Sequence, residues 1–147
     1  MKAFRSTYAT SGVESVSMEK DGFKLLTFSE GEYSYKDSYT GFFRSRGMVV
    51  VNYQNLPVWT CAYGGGMVEE NVGLAFKTFD FLKKAFLTDE QGFRTFRGPH
   101  KYISDNWDYK YNQEGDIEEF SGHEEIRLND KLVFFHRIIG GLVKNKK

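Results

Sequence analysis

The sequence predicts an α+β fold: a strongly curved antiparallel sheet of about six or seven strands, arranged as two meanders and packed around one long helix at about residues 71–87. Two observations support this prediction. Stretches in which apolar and polar residues alternate lie on both sides of a single stretch with helical spacing. Aromatic residues also make up 17% of the chain, and aromatic side chains favour strands and bury large areas.

Four strands are predicted before the helix, beginning with a two-residue repeat at Phe23. Segment 32–39 follows, and segments 48–53 and 57–63 flank Gln54-Asn55, which we expect to form a two-residue hairpin turn because Asn tolerates a left-handed backbone. The three glycines at 64–66 are expected to end this part of the sheet. One face of the second strand contains Tyr33, Tyr35, Asp37 and Tyr39, and one face of the fourth contains Trp59, Cys61 and Tyr63.

The helix is predicted from two apolar stripes at helical spacing. Asn71 is in position to cap its N-terminus, where anionic side chains are also favoured by the helix dipole. Because a helix this apolar must be covered on more than one side, we expect Phe76, Phe79 and Phe86 to lie in the core.

The second meander is predicted after residue 100. Trp107, Tyr109 and Tyr111 share one face of its first strand, residues 113–116 are expected to turn, and a second strand is expected at about 117–128. Asn129-Asp130 then turns into a last strand that ends at the glycine pair 140–141. The chain is predicted to be a single domain over residues 1–147, with a short N-terminal helix at 1–9 and a flexible basic tail at 144–147.

Composition excludes several function classes. Twenty basic and twenty acidic residues give no net charge, so we expect no direct binding of nucleic acid and no association with an anionic membrane. The single cysteine, Cys61, cannot form an internal disulfide, and the N-terminus lacks the pattern of a signal peptide. We therefore expect a cytoplasmic protein. No motif indicates a metal or another cofactor, and none is predicted.

Three polar residues occupy positions where the alternation requires apolar ones. Glu124 shares a face with Phe120, Ile126 and Leu128, so it is expected on the core side, unless a bulge at Gly122 reverses the register. Asp37 lies on a face of tyrosines, where it is either a ligand-binding carboxylate or the partner of a tyrosine hydroxyl.

His136 is the third of these residues, and it lies between Phe134 and Ile138 on its face. It is either a hydrogen-bonded core histidine or an acid/base group.

Several segments, taken in order, resemble a bacterial and archaeal domain family of unknown function. Its members occur alone or C-terminal to a helix-turn-helix of the XRE repressor type. The resemblance implies a regulator-associated domain and gives no reaction, and because this chain has no DNA-binding segment it implies a separate regulator partner. The segments are YSYKDSYTG (33–41), PVWTCAYGGGM (57–67), FRGPHKY (96–102), GDIEEFSGHEEI (115–126) and GGL (140–142).

Three functions remain open from the sequence. The first is a non-catalytic module that binds or senses a small molecule in an aromatic-lined cavity. The second is a small hydrolase or isomerase that uses Glu124 or His136 as acid or base. The third is a dimerisation or partner-docking module in which the helix forms the interface, as in a homodimer. The candidate ligand-binding residues are Tyr35, Asp37, Tyr39, Trp59, Tyr63, Arg97, Trp107, Tyr109, Glu124 and His136.

Overall fold

The computed structural model describes residues 15–18, 20–88 and 95–146, which form one open, nine-stranded antiparallel sheet with a single α-helix. The helix predicted at residues 1–9 lies outside the described residues. The strands are β1 (Ser15–Met18), β2 (Lys24–Glu30), β3 (Tyr33–Thr40), β4 (Arg44–Tyr53), β5 (Leu56–Met67), β6 (Lys101–Ser104), β7 (Trp107–Asp116), β8 (Glu119–Leu128) and β9 (Lys131–Leu142).

The strand order is β1-β2-β3-β4-β5-β9-β8-β7-β6, so two meanders meet where β5 pairs with β9. This confirms the α+β class, whereas the predicted count of six or seven strands is wrong. The additional strands, β1 and β6, have four residues each and lie at the two edges of the sheet. Four residues are too few for a two-residue repeat to stand out from chance.

Two hairpin turns form where the sequence predicts them, at residues that tolerate a left-handed backbone. Gln54 and Asn55 both have positive φ, as do Asn129 and Asp130, and each pair joins two strands as predicted. The turn predicted at residues 113–116 is displaced, because β7 continues to Asp116 and the chain turns at Ile117 and Glu118.

The three glycines at 64–66 lie inside β5 and do not end the sheet. They pair with Arg44–Arg46 on β4 and with Phe135–Arg137 on β9. Gly65 and Gly66 adopt positive φ, and a Cβ atom on either would collide with a carbonyl oxygen, of Phe135 and of Phe43 respectively. Glycine is required here by the close approach of backbone, not by a turn. Likewise, β9 runs through the predicted end at Gly140-Gly141 to Leu142.

The predicted helix is divided into a 3₁₀ helix, Glu69–Leu74, and the α-helix α1, Ala75–Leu87. The first part contains Val72 and Gly73, which are both poor α-helix formers. Leu74 occupies the N-cap of α1 and no side chain caps it, so the predicted cap at Asn71 is wrong. None of the described helices is long and apolar enough to cross a membrane.

Helix α1 packs against the second meander through one face. Phe81 contacts the rings of Tyr102 and Trp107, and Phe86 contacts the ring of Tyr109. The core prediction is confirmed for Phe86, which is fully buried, and wrong for Phe76, which is 74% exposed; Phe79 is half-buried. The sheet covers one face of the helix, and the predicted apolar surface that includes Phe76 is left exposed.

Candidate functional site

A row of five residues crosses the inner face of the sheet. Ser45 on β4, Gly65 on β5, His136 on β9, Glu124 on β8 and Tyr111 on β7 lie directly opposite one another in register. Directly opposed residues in antiparallel strands project to the same face. Because Gly65 has no side chain, Ser45 and His136 meet above it, with 3.4 Å between Ser45 Oγ and His136 Nε2.

Glu124 lies at the centre of a buried ionic cluster. Its Oε2 accepts hydrogen bonds from Tyr109 Oη at 2.8 Å and from Arg97 Nε at 3.2 Å, and its Oε1 pairs with Arg97 Nη2 and with His136 Nδ1, the latter at 3.0 Å. Glu124 has no exposed surface, and four neighbouring donors satisfy the lone pairs of its carboxylate. The predicted core-side position of Glu124 is thus confirmed. The bulge in this pairing lies between Ile126 and Arg127, so the alternative of a bulge at Gly122 is wrong.

The cluster also controls the protonation of its members. Burial by itself would raise the pKa of Glu124, but the charge of Arg97 and the hydrogen bonds from His136 and Arg97 hold it at about 2. Burial lowers the pKa of His136, against the opposing effect of the Glu124 hydrogen bond. Glu124 is therefore ionised and His136 is neutral near pH 7.

Asp37 forms a second buried polar group beside this cluster. It is 3% exposed, and Tyr63 Oη donates a hydrogen bond to its Oδ1 over 2.7 Å. This confirms a tyrosine hydroxyl as its partner. Burial nevertheless raises the pKa of Asp37 to about 6, because the hydrogen bond from Tyr63 and the charge of Arg97 offset only part of the cost of desolvation.

The raised pKa predicts that ionised Asp37 destabilises the fold at neutral pH. Its pKa is about 6 in the folded protein against an ordinary value of 3.8, so its contribution is intact below pH 4 and is lost as pH rises through 6. We expect the stability of Asp37→Asn, relative to the unmodified protein, to increase by about 2 kcal/mol between pH 4 and pH 7. Urea unfolding at both pH values measures this difference.

The matched control is Asp105→Asn, which removes the same charge at an exposed turn. A stability difference for Asp37→Asn that does not change with pH would show that the Asp37 carboxyl group is well solvated or fully paired when ionised.

A pocket of about 230 Å³ opens beside both polar groups. Its floor contains Asp37, Tyr63, Arg97 and His136, and helix α1 contributes Phe79 and Lys83 to its wall. The lining residues are Lys24, Asp37, Tyr39, Gly41, Phe42, Ser45, Tyr63, Gly66, Phe79, Lys83, Arg97, Phe134 and His136.

Half of the predicted ligand-binding residues line this pocket: Asp37, Tyr39, Tyr63, Arg97 and His136. Glu124 and Tyr109 are not among its lining residues but belong to the ionic cluster, in which Arg97 and His136 contact Glu124.

The other three predicted residues do not line the pocket. Tyr35 is buried in the core, Trp59 packs on Phe96 and Phe120, and Trp107 packs on Phe81. The pocket is therefore more polar than the aromatic-lined cavity that the alternation pattern predicts.

Sequence reasoning missed Ser45, Lys24 and Lys83. A signal for Ser45 was present, since it shares a strand face with Val49 and Val51 and is a polar residue at an apolar position. No local pattern marks the two lysines, because β2 and α1 bring them to the pocket from distant parts of the chain.

Two other chemistries receive no support from the described residues. They contain no group of three or more His, Cys, Asp and Glu side chains placed to hold a metal ion. Burial raises the pKa of Cys61 to about 12, so its thiol stays protonated and is a poor nucleophile.

Fold and site together define an α+β protein with one open antiparallel sheet and a pocket above a buried Glu–Arg–His cluster. The chain belongs to the family described as Domain of unknown function (DUF5680), whose family model matches residues 37–143. No curated protein and no solved structure matches the chain. The bacterial and archaeal range and the association with XRE-type regulators stay predictions.

Proposed function

We propose that the protein binds a small molecule in the pocket above the ionic cluster. The observation that carries this proposal is the position of Asp37 at the pocket floor, where its ionised form costs stability. A carboxyl group that is buried at a pocket and has a strongly perturbed pKa is typical of a functional site, so this position favours a role in binding. Tyr63 is the one side-chain donor to Asp37 among the described residues, which leaves the carboxylate able to accept a further hydrogen bond from a ligand.

The charges around the pocket favour a ligand with an anionic group. Lys24, Lys83 and Arg97 line it, whereas Asp37 is the one acidic residue among the described residues of the lining. The Arg97 charge is balanced by Glu124 beneath it, so among the described lining residues the two lysines are the cations available to a ligand. Both lysines are exposed, and an anion beside them gains a modest Coulomb energy.

The remaining lining favours a ligand with an apolar part. Phe42, Phe79 and Phe134 provide aromatic surface, and Phe42 contacts Phe79 with their ring centroids 5.4 Å apart. The volume of about 230 Å³ lies below the range of about 300–1,000 Å³ that drug-sized ligands occupy. A small aromatic or branched hydroxy acid has the required size and chemistry, because its carboxylate suits the lysines and its hydroxyl group can donate to Asp37.

Binding of small carboxylic acids tests this proposal. We expect phenylacetate to bind more tightly than acetate, and to shift the ¹⁵N–¹H resonances of residues that line the pocket. Lys83→Ala should weaken binding by roughly 3- to 10-fold through loss of one charge contact. Lys77→Ala is the matched control, because Lys77 is an exposed lysine of the same helix and does not line the pocket.

Resonance shifts that map away from the pocket, or equal effects of the two lysine variants, would refute this assignment of the site.

The docking alternative predicts an apolar patch on the surface, and Phe42, Phe43 and Phe76 are indeed exposed and in contact through Phe42. Because Phe42 also lines the pocket, this patch serves equally as the rim of a ligand site. Docking of a partner or a second copy stays a prediction.

A further inference from the structure

Ser45, His136 and Glu124 are arranged as a nucleophile, a base and a carboxylate that orients the base. The hydroxyl of Ser45 lies 3.4 Å from His136 Nε2, and Glu124 Oε1 lies 3.0 Å from Nδ1 on the opposite side of the imidazole ring. This is the order of groups that activates a serine hydroxyl in acyl-transfer enzymes on unrelated folds. A separation of 3.4 Å is within the looser range found when such sites are empty.

The carboxylate determines which nitrogen of His136 carries the proton. Ionised Glu124 can only accept hydrogen bonds, so its contact with Nδ1 is favourable when Nδ1 is protonated. Nε2 then presents its lone pair to Ser45, as a general base must. Arg97 Nη2 lies 3.2 Å from Nδ1 as well, and in this tautomer both groups donate to the same carboxylate.

The strand register holds the serine and the histidine together. Gly65 lies between them in the row across the sheet, and a Cβ atom on Gly65 would come within 2.9 Å of His136 Cδ2. A side chain at this position would push the imidazole ring away from Ser45. The glycine in β5 therefore permits a hydroxyl–imidazole contact between strands that are not neighbours.

We propose that Ser45 is the nucleophile of an acyl-transfer site that hydrolyses small carboxylic esters. The inference rests on the proposed function, because Ser45 and His136 both line the pocket in which the acyl group would bind. His136 is the general base, and Glu124 is a positioning residue that acts through His136.

The reaction balances without an external oxidant or reductant. Ser45 Oγ attacks the ester carbonyl carbon while its proton passes to His136 Nε2. The bond from the carbonyl carbon to the alkoxy oxygen then breaks, and the departing alcohol takes the proton from Nε2. Water next attacks the acylated serine, again losing its proton to His136. The carboxylic acid leaves, and Ser45 regains the proton.

The electrostatics of the pocket suit these steps. The carbonyl oxygen gains negative charge at each attack, and the cations Lys24 and Lys83 line the same pocket. The groups that act on His136 are Glu124, Arg97 and Arg46; burial and the two arginines lower its pKa and Glu124 raises it. His136 is therefore neutral at pH 7, which is the form that accepts a proton.

Acylation by p-nitrophenyl acetate tests the inference directly. We expect a burst of p-nitrophenol followed by slower turnover, and an acetyl group located on Ser45 by peptide mass spectrometry. Ser45→Ala should lower the rate by about 100-fold or more, because the nucleophile and its general base act together. Ser121→Ala is the matched control, since Ser121 is an exposed serine on β8 and lies outside the pocket.

Glu124→Gln is a poor test by itself, because loss of the charge also affects folding. His136→Gln provides a second variant, and it should abolish the burst while its ¹⁵N–¹H spectrum remains that of a folded protein. Acetylation of lysines or tyrosines in place of Ser45 would overturn the inference. Binding of phenylacetate without acylation of Ser45 would overturn it as well and leave the proposed function standing, whereas the absence of both would overturn both.

Discussion

Glu124→Gln is expected to destabilise the protein by about 3–5 kcal/mol. Arg97 is 3% exposed, and the carboxylate of Glu124 is the anion that contacts its guanidinium group. The neutral amide removes the carboxylate that contacts this buried positive charge. It also brings an NH₂ group next to Arg97 and His136, which are themselves donors. Urea unfolding at pH 7 measures the loss.

The neighbouring residue provides a matched control. Glu125 lies on the other face of β8, where it pairs with His123 and Arg127 near the surface. Glu125→Gln should cost less than about 1 kcal/mol, because exposed ion pairs contribute little. Comparable losses for the two variants would show that Glu124 is not the counter-charge of a buried cation.

A double variant separates the effect of charge from that of packing. Replacing Arg97 by Met together with Glu124→Gln removes both charges and keeps most of the side-chain volume. We expect this pair to be more stable than Glu124→Gln alone, since the unpaired buried charge has been removed. If the second substitution only adds to the loss, the charge pair is not the source of the stability.

Phe86→Ala is expected to destabilise the protein by about 3–5 kcal/mol, through lost burial and the cavity that it leaves. Phe86 is fully buried, its ring contacts that of Tyr109, and the guanidinium carbon of Arg97 lies 4.6 Å from its ring centroid. The Phe86 ring thus packs helix α1 against the sheet and also contacts the cation of the ionic cluster. Calorimetry or urea unfolding measures the loss.

Phe76→Ala is the matched control in the same helix. Its side chain is 74% exposed, so its removal should change the free energy of unfolding by about 0.5 kcal/mol or less. The helical spacing of the sequence predicts the same burial for both phenylalanines, whereas in the structure Phe86 is buried and Phe76 is exposed. A large loss for Phe76→Ala would mean that another chain or segment covers this face of the helix.

The sequence by itself determined the local properties of the chain. Alternation of polar and apolar residues identified the faces of the main strands, and Asn-containing turns located two hairpins. The same alternation identified Glu124, Asp37 and His136 as polar residues on inner faces, and all three are buried. These predictions succeed because side chains alternate strictly along a strand, so one polar residue on an apolar face is visible without knowledge of its neighbours.

Only the tertiary structure decided which of these residues meet. The pairing of β5 with β9 joins the two meanders, places His136 beside Gly65 and brings it to Ser45, which is 91 positions away in the chain. The tertiary structure also shows that Gly65 and Gly66 are sites of close backbone approach within a strand, and that one face of α1 is left exposed. Strand order and helix coverage depend on the burial of the whole sheet, and no short window of sequence contains that information.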